Sequence, residues 1–199
     1  MSSIKINAQQ KRNNMENTAL LVIDIQNDYF PKGKHALYGS EEAGRNAHLL
    51  LQYARGKKIE VVHIQHLSVN EGADFFLPDT YGAEINECVK PIEGEVVVVK
   101  NYPNSFRDTG LLIHLQKKGI KNLIICGMMT DVCVDVTVRA AMDYGFKTTV
   151  IGDACATEDR KLYGKMVEAR DINSSYLAGF TALGNLYANV MTTDEFLKR

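Results

Sequence analysis

Three side chains of complementary chemistry stand where short apolar runs give out. Asp24 lies in the run Ala19–Leu20–Leu21–Val22–Ile23–Asp24–Ile25, and Lys100 follows Val96–Val97–Val98–Val99. Cys133 follows Leu123–Ile124–Ile125–Cys126 by way of Gly127–Met128–Met129–Thr130. A thiolate is a strong nucleophile, a carboxylate can take the thiol proton, and an ammonium near both can hold the anionic pair. Thr130 fits the cap of a following helix, which places Cys133 in its first turn. Unpaired backbone N–H groups and the helix dipole favour negative charge there, so the thiol pKa is expected to fall. The same N–H groups can hold an oxyanion. Taken singly, each residue has a plainer role: aspartate as turn former, lysine reaching solvent, cysteine as a small core hydrophobe. That plainer role is assigned to Cys88, Cys126 and Cys155.

The elements that must position the three side chains alternate. Strands are read at Ala19–Ile25, Ile59–His66, Val96–Lys100, Leu123–Cys126, Thr148–Ile151 and Asn189–Thr192. Between them come helical patterns: one from Ser40 closed by Gly56, one from Asp108 to Lys118 ended by Gly119, and one from about Asp131 to Tyr144 ended by Gly145. Asn70–Lys90, with Gly72, Phe75, Phe76, Pro78 and Gly82, reads as a long functional loop leading into a short helix. Thr157–Leu186 reads as mainly helix. Its apolar residues Tyr176, Leu177, Phe180, Leu183 and Leu186 suit core or a subunit interface, with core the default. Strand and helix alternating at this spacing give βαβ units, hence a three-layer α/β/α fold on a mostly parallel, Rossmann-like six-stranded sheet. Ligands of such sheets bind beyond the carboxyl ends of the strands, which is where Asp24, Lys100 and Cys133 fall.

Composition narrows the class. The chain has 199 residues, 45% hydrophobic and 24% charged, enough for one substantial core. With 23 Lys plus Arg against 24 Asp plus Glu it lacks the basic surplus of a nucleic-acid binder. No apolar run approaches the roughly 20 residues needed to cross a bilayer, so no membrane partner is expected. Residues 1–17 are polar, without the apolar stretch of a secretory signal, and read as a flexible N-terminal extension before a single domain at 18–199. Four cysteines with no CxxC pair suggest neither a disulfide framework nor a structural zinc, and a reducing cytoplasm is the expected compartment.

Three ordered blocks resemble the isochorismatase-like cysteine hydrolases. They are Leu-Val-Ile-Asp24-Ile-Gln-Asn-Asp-Tyr-Phe, Val-Val-Lys100-Asn-Tyr-Pro-Asn-Ser-Phe, and Gly127-Met-Met-Thr-Asp-Val-Cys133-Val continuing through Thr137, Arg139 and Gly145 to Asp153-Ala-Cys-Ala-Thr157. The resemblance implies a catalytic triad of Asp24, Lys100 and Cys133. It also implies a cis peptide between Met128 and Met129 that turns the Met129 N–H toward the site, and a homo-oligomer, dimer or tetramer. The oxyanion hole would be the backbone N–H groups of Met129 and Cys133.

Departures from the family's branches refine this. Isochorismatase proper, a vinyl-ether hydrolase, lacks the cysteine that this chain carries. Nicotinamidases carry a metal site on an Asp-x-His pattern after the second strand, where this chain reads Gln65-His66-Leu67-Ser68. His63 and His66 lie three apart on a strand, so they face opposite ways and cannot share one metal. No metal or other cofactor is therefore expected. The implied activity is hydrolysis of a C–N bond in a small amide, ureide or carbamoyl compound through a thioester; vinyl-ether hydrolysis and nicotinamidase-like activity are the alternatives. Tyr29, Phe30, Phe75, Phe76 and Phe106 are the expected pocket walls for a small planar substrate, with His66 and Thr130 as further contacts.

Overall fold

The apolar runs read as strands lie side by side. The structure, a computed structural model, describes residues 17–198, so the expected extension at 1–17 falls outside the described residues except for Asn17. The strands are β1 (Thr18–Ile23), β2 (Glu60–His66), β3 (Val96–Lys100), β4 (Asn122–Met128), β5 (Lys147–Ala156), β6 (Arg160–Leu162), β7 (Lys165–Val167) and β8 (Asn189–Met191). Six form one sheet in the order β3-β2-β1-β4-β5-β8, every pair parallel. The main helices are α1 (Ser40–Lys57), α2 (Leu111–Lys117), α3 (Asp135–Asp143), α4 (Ala169–Phe180) and α5 (Thr193–Leu197), with a further short helical turn at Ala182–Asn185.

Both faces of the sheet are covered, which is why the central strands are apolar at nearly every position. Alternate residues of β1 serve opposite layers. Leu20 and Val22 pack with Ala47, Leu50 and Leu51 of α1 and Phe196 of α5. Leu21 and Ile23 pack with Leu111 and Leu115 of α2, Val138 and Ala141 of α3 and Phe180 of α4. The three-layer α/β/α architecture is therefore as the alternation of elements predicts, with the sheet parallel throughout.

Several boundaries differ, each for a local reason. α1 runs past Gly56 and ends instead on Lys58, in the left-handed conformation at φ 56°. α2 begins only at Leu111, and Asn70–Lys90 holds two short 3-10 turns rather than a helix. β5 continues five residues beyond Ile151 although Gly152–Asp153 interrupts its apolar pattern. Asp153 is polar because its carboxylate accepts from the Thr193 N–H and hydroxyl, both at 2.8 Å, at the start of α5. The segment Thr157–Leu186 is helical at Ala169–Phe180 and Ala182–Asn185, but it opens on β6 and β7, an antiparallel ribbon turning on Tyr163 and Gly164. Both turn residues have positive φ (50° and 78°), as a two-residue I′ hairpin demands. Of its apolar residues, Phe180 is core and Leu177 packs against it, while Met166, Leu183 and Leu186 are exposed.

The order of strands reverses direction between β1 and β4, and in such sheets the ligand crevice lies at that switch point, outside the strands' carboxyl ends. One glycine lets the two strands meet there. Gly127 has φ 139°, and a Cβ on it would lie 2.0 Å from the Ile23 carbonyl oxygen, next to Asp24. Gly127→Ala is expected to destabilise the chain by about 3 kcal/mol or more, read as a lower urea midpoint at unchanged m.

Candidate active site

Asp24, Lys100 and Cys133 reach the crevice from three different local structures. Asp24 is the first residue beyond β1 and takes a left-handed backbone at φ 49°, which aspartate tolerates better than most residues. Its N–H donates to the Ile64 carbonyl of β2 at 3.0 Å. Lys100 ends β3, where Val98 and Lys100 point inward and Val97 and Val99 outward. It stands in register with His66 of β2, so the two side chains rise on the same side of the sheet. Cys133 lies in a π-helical turn, Thr130–Val134, that follows a cis peptide between Met128 and Met129. Such π turns recur at functional sites because they re-aim a side chain without ending the helix.

The three tips meet on one nitrogen. Lys100 Nζ lies 2.7 Å from Asp24 Oδ2, 2.9 Å from His66 Nδ1 and 3.4 Å from Cys133 Sγ. An ammonium has three N–H donors, and here each has its own acceptor. Because Nδ1 accepts, His66 is neutral with its proton on Nε2. Burial and the adjacent Lys100 charge push the His66 pKa down to about 4, against a smaller opposing pull from Asp24. Burial pushes the Lys100 pKa down, but Asp24 and Cys133 more than offset it and raise it overall. Asp24 itself is fully buried, and besides Lys100 its carboxylate faces the Cys133 thiol.

The thiol behaves opposite to the helix-terminus expectation. Burial first, and then the Asp24 charge, push the Cys133 pKa up, and Lys100 only partly opposes them. One ammonium cannot balance two buried anions, so the resting form is a thiol beside a carboxylate. Thr130 does not cap the helix either. Its hydroxyl donates to Asn173 Oδ1 at 2.5 Å and lies 3.3 Å from the Ala156 carbonyl, so it ties α4 and β5 to the turn rather than facing a ligand.

Of the expected wall residues, Tyr29 and Phe76 are buried in the core and Phe75 packs against it. Tyr29, Phe75 and Phe76 form one cluster, with ring centroids 4.6 Å apart for Tyr29–Phe76 and 4.9 Å for Phe75–Phe76, and His66 lies 6.0 Å from Phe76. Burial, followed by the nearby Cys133 and Asp24, raises the Tyr29 pKa, which keeps its phenol protonated. Phe30 is not part of this wall: its ring lies against α1, where a Cβ on Gly44 would meet it at 3.0 Å beside Cys88. Phe106 is core as well, packed on Tyr144 and Phe146 at 5.1 and 6.1 Å. Cys126 and Cys155 are buried core thiols and Cys88 is half-buried.

Residues given no role by the sequence complete the surroundings. Gln26 accepts from the His66 N–H at 2.8 Å and donates to the His66 carbonyl at 2.9 Å, clamping that residue in place. Asp28 accepts the Phe76 N–H at 2.7 Å and so pins the aromatic loop. Arg160 reaches Asp131 at 3.0 Å and Met129 Sδ at 3.5 Å and pairs with Glu158, which also holds His35 at 2.8 Å. Gln26 and Asp28 carry a signal that was available: polar residues directly after an apolar strand, in a block otherwise destined for burial. His63 faces the other way, its Nε2 2.9 Å from Glu95, which agrees with the strand argument that it cannot join His66.

The isochorismatase domain profile matches residues 18–195. The chain belongs to the isochorismatase family. An uncharacterized isochorismatase family protein of Bacillus subtilis is 48% identical over 181 residues, covering 91% of this chain and 99% of that protein. The crystal structure of an isochorismatase hydrolase from Oleispira antarctica superposes with a TM-score of 0.88 at 41% identity, covering 92% of this chain and 97% of that one. A streptothricin hydrolase of Streptomyces noursei is 36% identical over 143 residues, covering 71% of this chain and 50% of that protein. The chain is thus an isochorismatase-family hydrolase carrying a cysteine, a lysine and an aspartate in one buried cluster. In this family member His66 should stay neutral well below its usual range. Imidazole nitrogen NMR shifts are expected to report the Nε2–H tautomer and a titration midpoint near 4, against about 6.5 for an ordinary histidine.

Proposed function

We propose that the protein is a cysteine-dependent amidohydrolase that cleaves a C–N bond in a small amide, ureide or carbamoyl compound. The observation that carries this reading is the single ammonium of Lys100 bridging the Asp24 carboxylate and the Cys133 sulfur. With Lys100 already charged, moving the thiol proton to Asp24 keeps the net charge of the buried cluster constant. That transfer avoids the isolated charge that low-dielectric surroundings penalise.

As Cys133 Sγ attacks the substrate carbonyl, Asp24 takes its proton. The developing oxyanion is held by the backbone N–H groups of Met129 and Cys133, while Val132 and Val134 of the same turn donate to the Met129 carbonyl. Asp24 then returns the proton to the departing amine or ammonia, which leaves a thioester on Cys133. A water molecule gives its proton to Asp24 as it attacks the thioester, the acid departs, and the thiol is regenerated. Lys100 remains charged throughout and orients both partners. His66, as the third acceptor of Lys100, fixes where that ammonium points. Tyr29, Phe75 and Phe76, tilted against one another by 37–61°, form an apolar cluster beside His66 that suits a small substrate. Relatives named streptothricin hydrolase and nicotinamidase support C–N hydrolysis over vinyl-ether cleavage.

The test is a screen for ammonia release over small amides and ureides. Cys133→Ala and Asp24→Asn are each expected to lower turnover by about 10³-fold or more. Their far-ultraviolet circular dichroism should match that of the parent. Intact-mass spectrometry of acid-quenched enzyme should show an acyl adduct on Cys133. Turnover that survives Cys133→Ala unchanged removes the mechanism.

A further inference from the structure

The acceptors around Lys100 form a cation site in their own right. Asp24, His66 and Cys133 each offer a ligand atom, a carboxylate oxygen, an imidazole nitrogen and a sulfur, and these three atoms lie within 4.8 Å of one another. The Lys100 ammonium is bonded to all three, at 2.7, 2.9 and 3.4 Å, and so occupies the place of a coordinated ion. Asp24 is fully buried and pairs with that ammonium through Oδ2. His66 is neutral and presents the lone pair of Nδ1 inward, the state a metal requires of imidazole.

We propose that this cluster binds a soft divalent transition-metal cation, of the zinc type, in place of the Lys100 ammonium. Sulfur, nitrogen and oxygen in one set suit zinc and its neighbours and not magnesium or calcium, which take oxygen ligands. Zinc bond lengths of roughly 2.0–2.3 Å put tetrahedral ligand atoms about 3.3–3.8 Å apart, a modest contraction of the present spacing. A tetrahedral ion has a fourth position beyond these three ligands, which water can take. On binding, the Cys133 thiol forms a sulfur–metal bond and releases its proton to solvent. The Lys100 ammonium withdraws from the ion or gives up a proton of its own, since two cations cannot share the position. The metal then blocks the sulfur, so the ion acts as a reversible inhibitor and not as a cofactor. That inhibitory consequence rests on the proposed role of Cys133; the binding does not. Two of the ligands coincide with residues proposed for catalysis, and the third is His66 rather than His63.

The experiment uses the full chain, treated with a chelator, desalted and titrated with zinc chloride in competition with a chromophoric zinc indicator. One equivalent is expected to bind, with proton release, and magnesium chloride is expected not to compete. Cys133→Ser and His66→Ala should each weaken binding by about tenfold or more. Lys100→Met, which keeps the length of the side chain and removes its charge, should tighten binding by a similar factor. A protein that takes up no stoichiometric zinc overturns the proposal, as does one whose affinity is unchanged in both Cys133→Ser and His66→Ala. If Lys100→Met fails to fold, those two variants decide alone. Zinc binding of this pattern without any amide hydrolysis sustains the inference and removes the hydrolytic mechanism; hydrolysis without zinc binding does the reverse.

Discussion

A single buried positive charge organises this protein's crevice. Lys100 is 1% exposed, and an ammonium taken so far from water is tolerable only if its hydrogens and its charge are both answered. Asp24 answers the charge, and His66 and Cys133 complete the hydrogen bonding. Remove any of the three and the lysine has an unmet donor in a low-dielectric pocket. The same shortage of charge compensation keeps Cys133 as a thiol at rest. Reactivity and stability here draw on one balance: an anion on sulfur becomes affordable only when the carboxylate is neutralised at the same moment.

The fold supplies this arrangement through backbone geometry more than through side-chain choice. Asp24 follows β1 with a left-handed turn, and Gly127 permits β4 to approach Ile23 closely enough for the two strand ends to share a crevice. Parallel register places His66 beside Lys100, so the imidazole that accepts from the ammonium is fixed by strand pairing. The π turn after β4 presents Cys133 from the opposite side of the switch point. Loops beyond these elements are secured by buried polar side chains, Gln26 to His66 and Asp28 to Phe76, because irregular backbone near a core must have its N–H and C=O groups met.

Around the cluster, local residue preference does not fix orientation. Phe30 and Phe106 were expected among the pocket walls because aromatic rings near a site suit a ligand, yet one packs on α1 and the other on Phe146. Ring type does not say which way a ring turns. Thr130 looked like a helix cap because hydroxyl residues favour that position, but a π turn begins there and Asn173, 43 residues later, takes the hydroxyl. The ribbon at Arg160–Val167 was absorbed into a helical reading because three-residue strands carry too few positions to show alternation.

By itself the sequence determined the layered α/β architecture, the six central strands and the identity of Asp24, Lys100 and Cys133 as the residues to watch. Those follow from local periodicity and from side-chain chemistry at strand ends, both properties of short stretches. Only the tertiary structure decided that one ammonium touches all three acceptors and that His66 is neutral and belongs with them. It alone decided that the thiol pKa rises instead of falling. Each of these depends on burial and on groups brought to Lys100 from 33 or more residues away, on β1, β2 and the turn after β4. Desolvation is a property of the assembled surroundings, and no local pattern records it.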